Sequence, residues 1–131
     1  MPAPITALYA SFIGLLMTYL ALRVVAARRR EKVGLGAGGS QAVEHAMRVQ
    51  ANAVENAPIA LLLIALLELN GGAAWLIHAL GAALLFARLF HLQGFGGNVG
   101  VSPGRVIGTV VTLLTIQGAA VANVVMFFLR D

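Results

Sequence analysis

The chain contains no cysteine, and charge is scarce: only 11% of its 131 residues are Asp, Glu, Lys or Arg. Without cysteine there is no disulfide framework to staple a small secreted domain. Any thiol chemistry must therefore use a thiol carried by another molecule. A soluble domain spends about a quarter of its residues on charge. A chain this short also has too much surface per volume to hide a composition that is 60% hydrophobic. The same composition excludes a disordered chain. Acidic residues are the scarcer sign, five against nine Lys and Arg, which leaves a formal net charge of +4. So modest a positive balance on so apolar a chain suits contact with a membrane surface and not with nucleic acid. The class that remains is a small integral membrane protein.

Three stretches are free of charge: Met1 to Leu22, Leu69 to Ala87 and Val106 to Leu129. Each reaches or approaches the roughly 20 residues a helix needs to cross the hydrocarbon core. A fourth apolar stretch, Ala57 to Leu67, is too short alone. It spans only if its helix starts upstream and carries Arg48, Asn52 and Glu55 into the membrane. The expected architecture is one all-α membrane domain over 1–131, with helices near 4–29, 41–69, 73–95 and 104–129. The breakers agree. Glycines at 34, 36, 38 and 39 end the first hairpin, with Ser40 as a candidate N-cap. Asn70-Gly71-Gly72 makes a turn, and Gly94 to Gly104 breaks the chain before the last helix. Pro2 and Pro4 sit where a helix start tolerates them, whereas Pro58 removes a donor inside the second helix and is expected to kink it. No basic stretch precedes the first apolar run, so a cleaved signal peptide is not expected.

Basic residues assign the sides. The first loop region carries Arg28, Arg29, Arg30 and Lys32, and the third carries Arg105; the second loop has none, and of the termini only the C-terminus has one, Arg130. Positive-inside bias then puts loops one and three in the cytoplasm and both termini outside.

Arg48, Asn52 and Glu55 are spaced by four and three residues, so they fall within roughly 60° of one helix face, with Glu55 about 10 Å deeper than Arg48. An ionisable group at that depth must face protein or a polar cavity. Two readings stand side by side: Arg48, Glu55 and Arg88 neutralise one another across helices, or the cluster holds a ligand. Arg88 and His91 share a face of the third helix. His45 and His78 read as interface residues, and no His pair at i, i+4 supports a metal. The Arg28–Arg30 run also suits lipid headgroups. Arg105 follows Pro103-Gly104 at a helix start, a place for an anion or for an ordinary interfacial arginine. Arginines set against one deep carboxylate suit a polar, polyanionic small molecule gripped through its carboxylates. In that reading Glu55 and Asn52 hold an ammonium or amide.

The segment Arg48-Val-Gln-Ala-Asn-Ala-Val-Glu-Asn-Ala-Pro58 resembles the signature of the MAPEG family, the membrane-associated proteins in eicosanoid and glutathione metabolism. That signature places Arg, Asn, an acidic residue and Pro at these offsets on the second of four helices. Leu85-Phe-Ala-Arg-Leu-Phe-His-Leu-Gln-Gly-Phe95 resembles the third-helix motif of the leukotriene C synthases, and Val24-Val-Ala-Ala-Arg-Arg29 the end of their first helix. The likeness spans nearly the whole chain and is nearest to small bacterial members, which implies a bacterial inner membrane. It implies a homotrimer with glutathione as co-substrate, bound between neighbouring subunits on the cytoplasmic side, and no metal. By position, Arg48, Asn52 and Glu55 would bind glutathione, with Gln50 and Arg28 reaching it from the adjacent subunit. His91 falls where the synthases have a ligand-contacting Tyr. Arg88 would pair with Glu55 as a brace. Arg105, in a Pro-x-Arg context like that of the microsomal prostaglandin E synthases, would stabilise the thiolate, with Arg29 as the second candidate. Phe95 and Asn56 replace tyrosines of the better-studied enzymes, and their catalytic Arg aligns with Ser102 unless the loop shifts.

The resemblance thus implies a glutathione transferase or peroxidase whose thiolate attacks an apolar electrophile or lipid hydroperoxide arriving through the bilayer. A non-catalytic glutathione- or lipid-binding protein of the same fold is the alternative. A transporter is disfavoured because Glu68 and His78 alone stand in the other half, and they form no matching polar path.

Overall fold

A computed structural model describes residues 2–93 and 102–129, which form four helices: α1 (Pro4–Glu31), α2 (Gln41–Leu69), α3 (Ala74–Gln93) and α4 (Pro103–Phe128). All four are long and apolar enough to cross a membrane. The first helix runs two residues past its expected end because the arginine run stays helical until Lys32. Lys32 takes a left-handed conformation (φ 56°) and turns its N–H back to the carbonyls of Arg28 and Arg29. Ser40 and Ser102 cap α2 and α4, their hydroxyls accepting from Val43 N and Arg105 N, each at 3.3 Å. In the α2–α3 turn Gly71 has φ 85°, a backbone conformation that favours glycine. Helix α2 continues through Pro58 to Leu69. Gly94, Phe95 and Arg130 lie outside the described residues.

The buried residues of α2 explain its place. Val43, Ala46, Val49, Ala53, Ala57, Ala60, Ile64 and Leu67 recur every three or four positions and so line one face. Several are alanines, which lets backbones approach closely in the absence of a water-driven hydrophobic effect between helices. Helices α2 and α3 touch each other and both remaining helices, while α1 and α4 do not meet among the described residues. Ile13, Ala57, Ile64, Ile77, Leu84 and Ala119 fill the centre. Outward, Leu15, Leu22, Leu62, Phe86, Leu114 and Val121 remain exposed, a surface suited to acyl chains.

One end of the bundle is closed by a contact between distant residues. Ala3 offers α1 no side-chain cap. The carboxylate of Glu68, at the far end of α2, accepts instead from Ile5 N (2.9 Å), Thr6 N (2.7 Å) and Thr6 Oγ1 (2.6 Å). At the same end the Tyr9 hydroxyl meets His78 Nδ1 at 3.2 Å.

Candidate functional site

The opposite end, where α2 begins and α3 finishes, holds a cavity of about 480 Å³. Its wall is mostly one stripe of α2: Gln41, Glu44, His45, Arg48, Asn52 and Glu55. These positions interleave with the buried Val43, Ala46 and Val49, so the polar stripe runs beside the packing face and meets it at Asn52. His91 of α3 and Arg105 of α4 complete the wall. A volume in this range suits a small organic ligand.

The charges balance. Arg48 and Arg105 stand against Glu44 and Glu55, two cations to two carboxylates. Arg48 Nε lies 3.4 Å from Glu44 Oε1, but their side chains are 77% and 55% exposed. An exposed pair of this kind contributes at most about 1 kcal/mol, so Arg48 is free to turn to a ligand anion. Glu55 is exposed and makes no hydrogen bond or ion pair among the described residues. The site therefore offers guanidinium groups for carboxylates and a carboxylate for an ammonium. That is the complement of a zwitterion such as a small peptide.

The expected Arg88–Glu55 pair is corrected by the structure. Arg88 is 3% exposed and turned inward between α2 and α4. It donates to Asn52 Oδ1 (2.6 Å), Thr112 Oγ1 (2.6 Å) and Gly108 O (3.2 Å). Glu55 sits three residues beyond Asn52, is exposed, and forms no ion pair with Arg88.

Of the residues expected at a ligand, Arg48, Asn52, Glu55, His91 and Arg105 are brought together around the cavity. Arg28, Arg29 and Gln50 are not among its lining residues. Arg28 is tied to Gly36 O at 2.7 Å and to Met47 Sδ at 3.4 Å. With Arg29 and Lys32 it borders a separate shallow groove beside Val25 and Val33. Asn56 Nδ2 donates to Asn52 O at 2.8 Å, within its own helix, and Ser102 serves as the α4 cap. Sequence reasoning missed Glu44 and Gln41 and gave His45 an interface role. Their positions at helical spacing ahead of Arg48 were the available signal. Thr112 and Gly108 stand out in the sequence only as small residues at helical spacing that allow close helix contacts, and nothing there marks them as acceptors for Arg88.

The MAPEG family model matches residues 6–125. The inner membrane protein YecN of Escherichia coli strain K12 is 40% identical over 91 residues, 70% of each chain, and its counterpart in Escherichia coli O6:H1 matches to the same extent. A family match over almost the full length, joined to four helices with membrane-spanning character, means that the chain belongs to the MAPEG family.

Proposed function

We propose that the protein is a membrane-bound, glutathione-dependent transferase or peroxidase that works as a homotrimer. The observation that carries this reading is the convergence of Arg48, Asn52, Glu55, His91 and Arg105, from three helices, on one charge-balanced cavity. Glutathione is a tripeptide with two carboxylates, one ammonium and a thiol; Arg48 suits a carboxylate, Glu55 the ammonium, and Arg105 remains for the sulfur. The family includes glutathione transferases, and the lack of cysteine agrees with a thiol supplied by the co-substrate.

Arg105 is the residue assigned to the sulfur. A free thiol has a pKa of about 8.5 and is mostly protonated at neutral pH. A permanently charged guanidinium beside it favours the thiolate. Val106, Ile107 and Val110, exposed on the next turns of α4, give an apolar electrophile a route from the bilayer to that sulfur. In the transferase reaction the thiolate forms a carbon–sulfur bond and the leaving group departs. With a hydroperoxide it attacks oxygen and releases the alcohol, and a second glutathione converts the sulfenic acid to disulfide and water.

Arg28, Arg29 and Gln50 lie away from the cavity of their own subunit, so their expected ligand contacts require a neighbouring copy. Assembly, like the number three, thus rests on the family resemblance, and the position of these residues away from the cavity is consistent with it. Loops one and three are assigned to the cytoplasm, where glutathione is available, and the membrane is a bacterial inner membrane like that of the relatives.

The test uses full-length protein in mild detergent. Mass measurement is expected to give a trimer, titration with glutathione to give saturable binding with thiolate absorbance, and turnover to follow with an apolar electrophile or a lipid hydroperoxide. A stable monomer overturns the shared site. Binding without thiolate and without turnover replaces the enzyme with a non-catalytic binding protein.

A further inference from the structure

Arg88 carries a charge that no carboxylate among the described residues neutralises. It is 3% exposed at the junction of α2, α3 and α4, and all three of its acceptors are neutral: Asn52 Oδ1, Thr112 Oγ1 and Gly108 O. No carboxylate among the described residues lies within ion-pairing distance of it, and its Nε is buried without a hydrogen-bond partner. A buried cation held this way is expensive, and a packed apolar side chain serves stability as well or better. The arrangement is explained by what Arg88 does to Asn52.

A carboxamide has a donor end and an acceptor end, and which end faces a ligand is set by its other neighbours. Arg88 settles this for Asn52. A guanidinium has donors only, so at 2.6 Å from Nη1 the group must be Oδ1; the flipped amide would oppose donor to donor. The backbone carbonyl of Asn52 is occupied by Asn56 Nδ2 at 2.8 Å. What remains is Nδ2, which has no partner among the described residues, on a side chain that lines the cavity.

We propose that Arg88 is a positioning residue: it locks the carboxamide oxygen of Asn52 inward, so that Asn52 Nδ2 meets the ligand as a fixed hydrogen-bond donor. The group selected at that point is an acceptor oxygen, a carboxylate or a peptide carbonyl. Thr112 and Gly108 hold the other side of the guanidinium, so the lock spans three helices and does not depend on the rotamer of Asn52 alone. The uncompensated charge behind the amide polarises it in the same direction and strengthens the donor. This inference rests on the reading of the cavity as a glutathione site, and it adds which way one of its walls is poled.

Asn52→Asp separates polarity from packing. The carboxylate has the same shape and still accepts from Arg88, now as an ion pair, but it has no hydrogen to offer a ligand. Without ligand, full-length Asn52→Asp in detergent is expected to melt above the wild type, and the gain should vanish when Arg88→Met is added. With glutathione as the calorimetric probe, Asn52→Asp should lose affinity by at least about tenfold, the scale of one hydrogen bond to a charged group. Arg88→Lys, which keeps the charge but cannot grip both helices, should retain more affinity than Arg88→Met. Melting of Asn52→Asp as low as Asn52→Leu overturns the lock, and unchanged glutathione affinity in Asn52→Asp overturns the donor. Wild-type protein that binds no glutathione overturns the reading of the cavity and the donor role with it. The lock is then still decided by the melting temperatures.

Discussion

Glu68 caps the start of α1 from 62 residues beyond Thr6 in the chain: its Oε2 takes both the backbone N–H (2.7 Å) and the hydroxyl (2.6 Å) of Thr6, while Oε1 takes Ile5 N (2.9 Å). The first turn of α1 has unsatisfied N–H donors and a positive dipole end, and both favour a carboxylate there. Glu68→Gln keeps the shape, removes the charge and leaves one acceptor oxygen in place of two. It is expected to lower stability by about 1–2 kcal/mol, the scale of a lost helix cap, with glutathione affinity unchanged because the cavity is at the other end of the bundle. Detergent-phase melting and calorimetry on the same sample check both halves.

Gly108 is the second structural test. A Cβ there would stand 2.6 Å from Ala87 O and 2.8 Å from both the Cβ and the N of His91. These are mainly backbone atoms of α3 and cannot swing aside. Gly108→Ala must therefore push α3 and α4 apart, at a cost of about 1–3 kcal/mol for an overpacked contact. Since Arg105 and His91 flank this crossing, glutathione affinity should fall too. Gly118 is the control: its added Cβ meets nothing nearer than Leu80 at 3.7 Å. Gly118→Ala should be neutral, or stabilising by up to about 1 kcal/mol through helix propensity. Equal losses at the two sites would contradict the close crossing.

Glu55→Gln now carries a sharper expectation than a buried ion pair would give. Glu55 is exposed and Arg88 is bonded elsewhere, so the melting temperature should not move. Glutathione affinity should fall by about tenfold, as expected when one charged contact to an ammonium becomes neutral. A large drop in melting temperature would restore the Arg88–Glu55 pair and refute the inward arrangement of Arg88.

These variants also mark where sequence reasoning stops. The four spans and the polar stripe of α2 were legible because helical periodicity converts spacing directly into faces, and Arg48, Asn52 and Glu55 obey it. The partner of Arg88 was not legible. Asn52 and Glu55 are three residues apart, a rotation of about 60° on the helix, and the choice between them depends on how α3 is turned against α2. Gly108 and Thr112 read in the sequence as small residues at helical spacing that allow close helix contacts, but nothing in that spacing names Arg88 as the side chain they receive. The cap from Glu68 to Thr6 was hidden for a related reason: it joins the end of one helix to the start of another, and no local spacing encodes it. The groove beside Arg28 and Arg29 shows the converse, since adjacency in the arginine run did not bring those residues to the cavity of their own subunit.

Arg105 decides between enzyme and binding protein. It lies in the cavity wall one turn into α4, three residues after its cap Ser102, where its own charge adds to the positive end of the helix. If it stabilises the glutathione thiolate, Arg105→Ala should lower turnover by about 100-fold or more, the scale of removing one preorganised electrostatic group. Affinity should fall far less, because Arg48, Asn52 and Glu55 still hold the peptide. Arg105→Lys should recover only part of the rate, since an ammonium is more strongly hydrated and lacks the planar fork. Arg29→Ala gives the comparison, because Arg29 reaches a sulfur only if a neighbouring subunit brings it there. Loss of thiolate absorbance in Arg29→Ala with full absorbance in Arg105→Ala would exchange their roles. It would also place the catalytic charge on the adjacent subunit, so trimer dissociation should then abolish turnover together with the thiolate signal. If wild-type protein binds glutathione but forms no thiolate, neither arginine has a catalytic role and the cavity serves for binding alone.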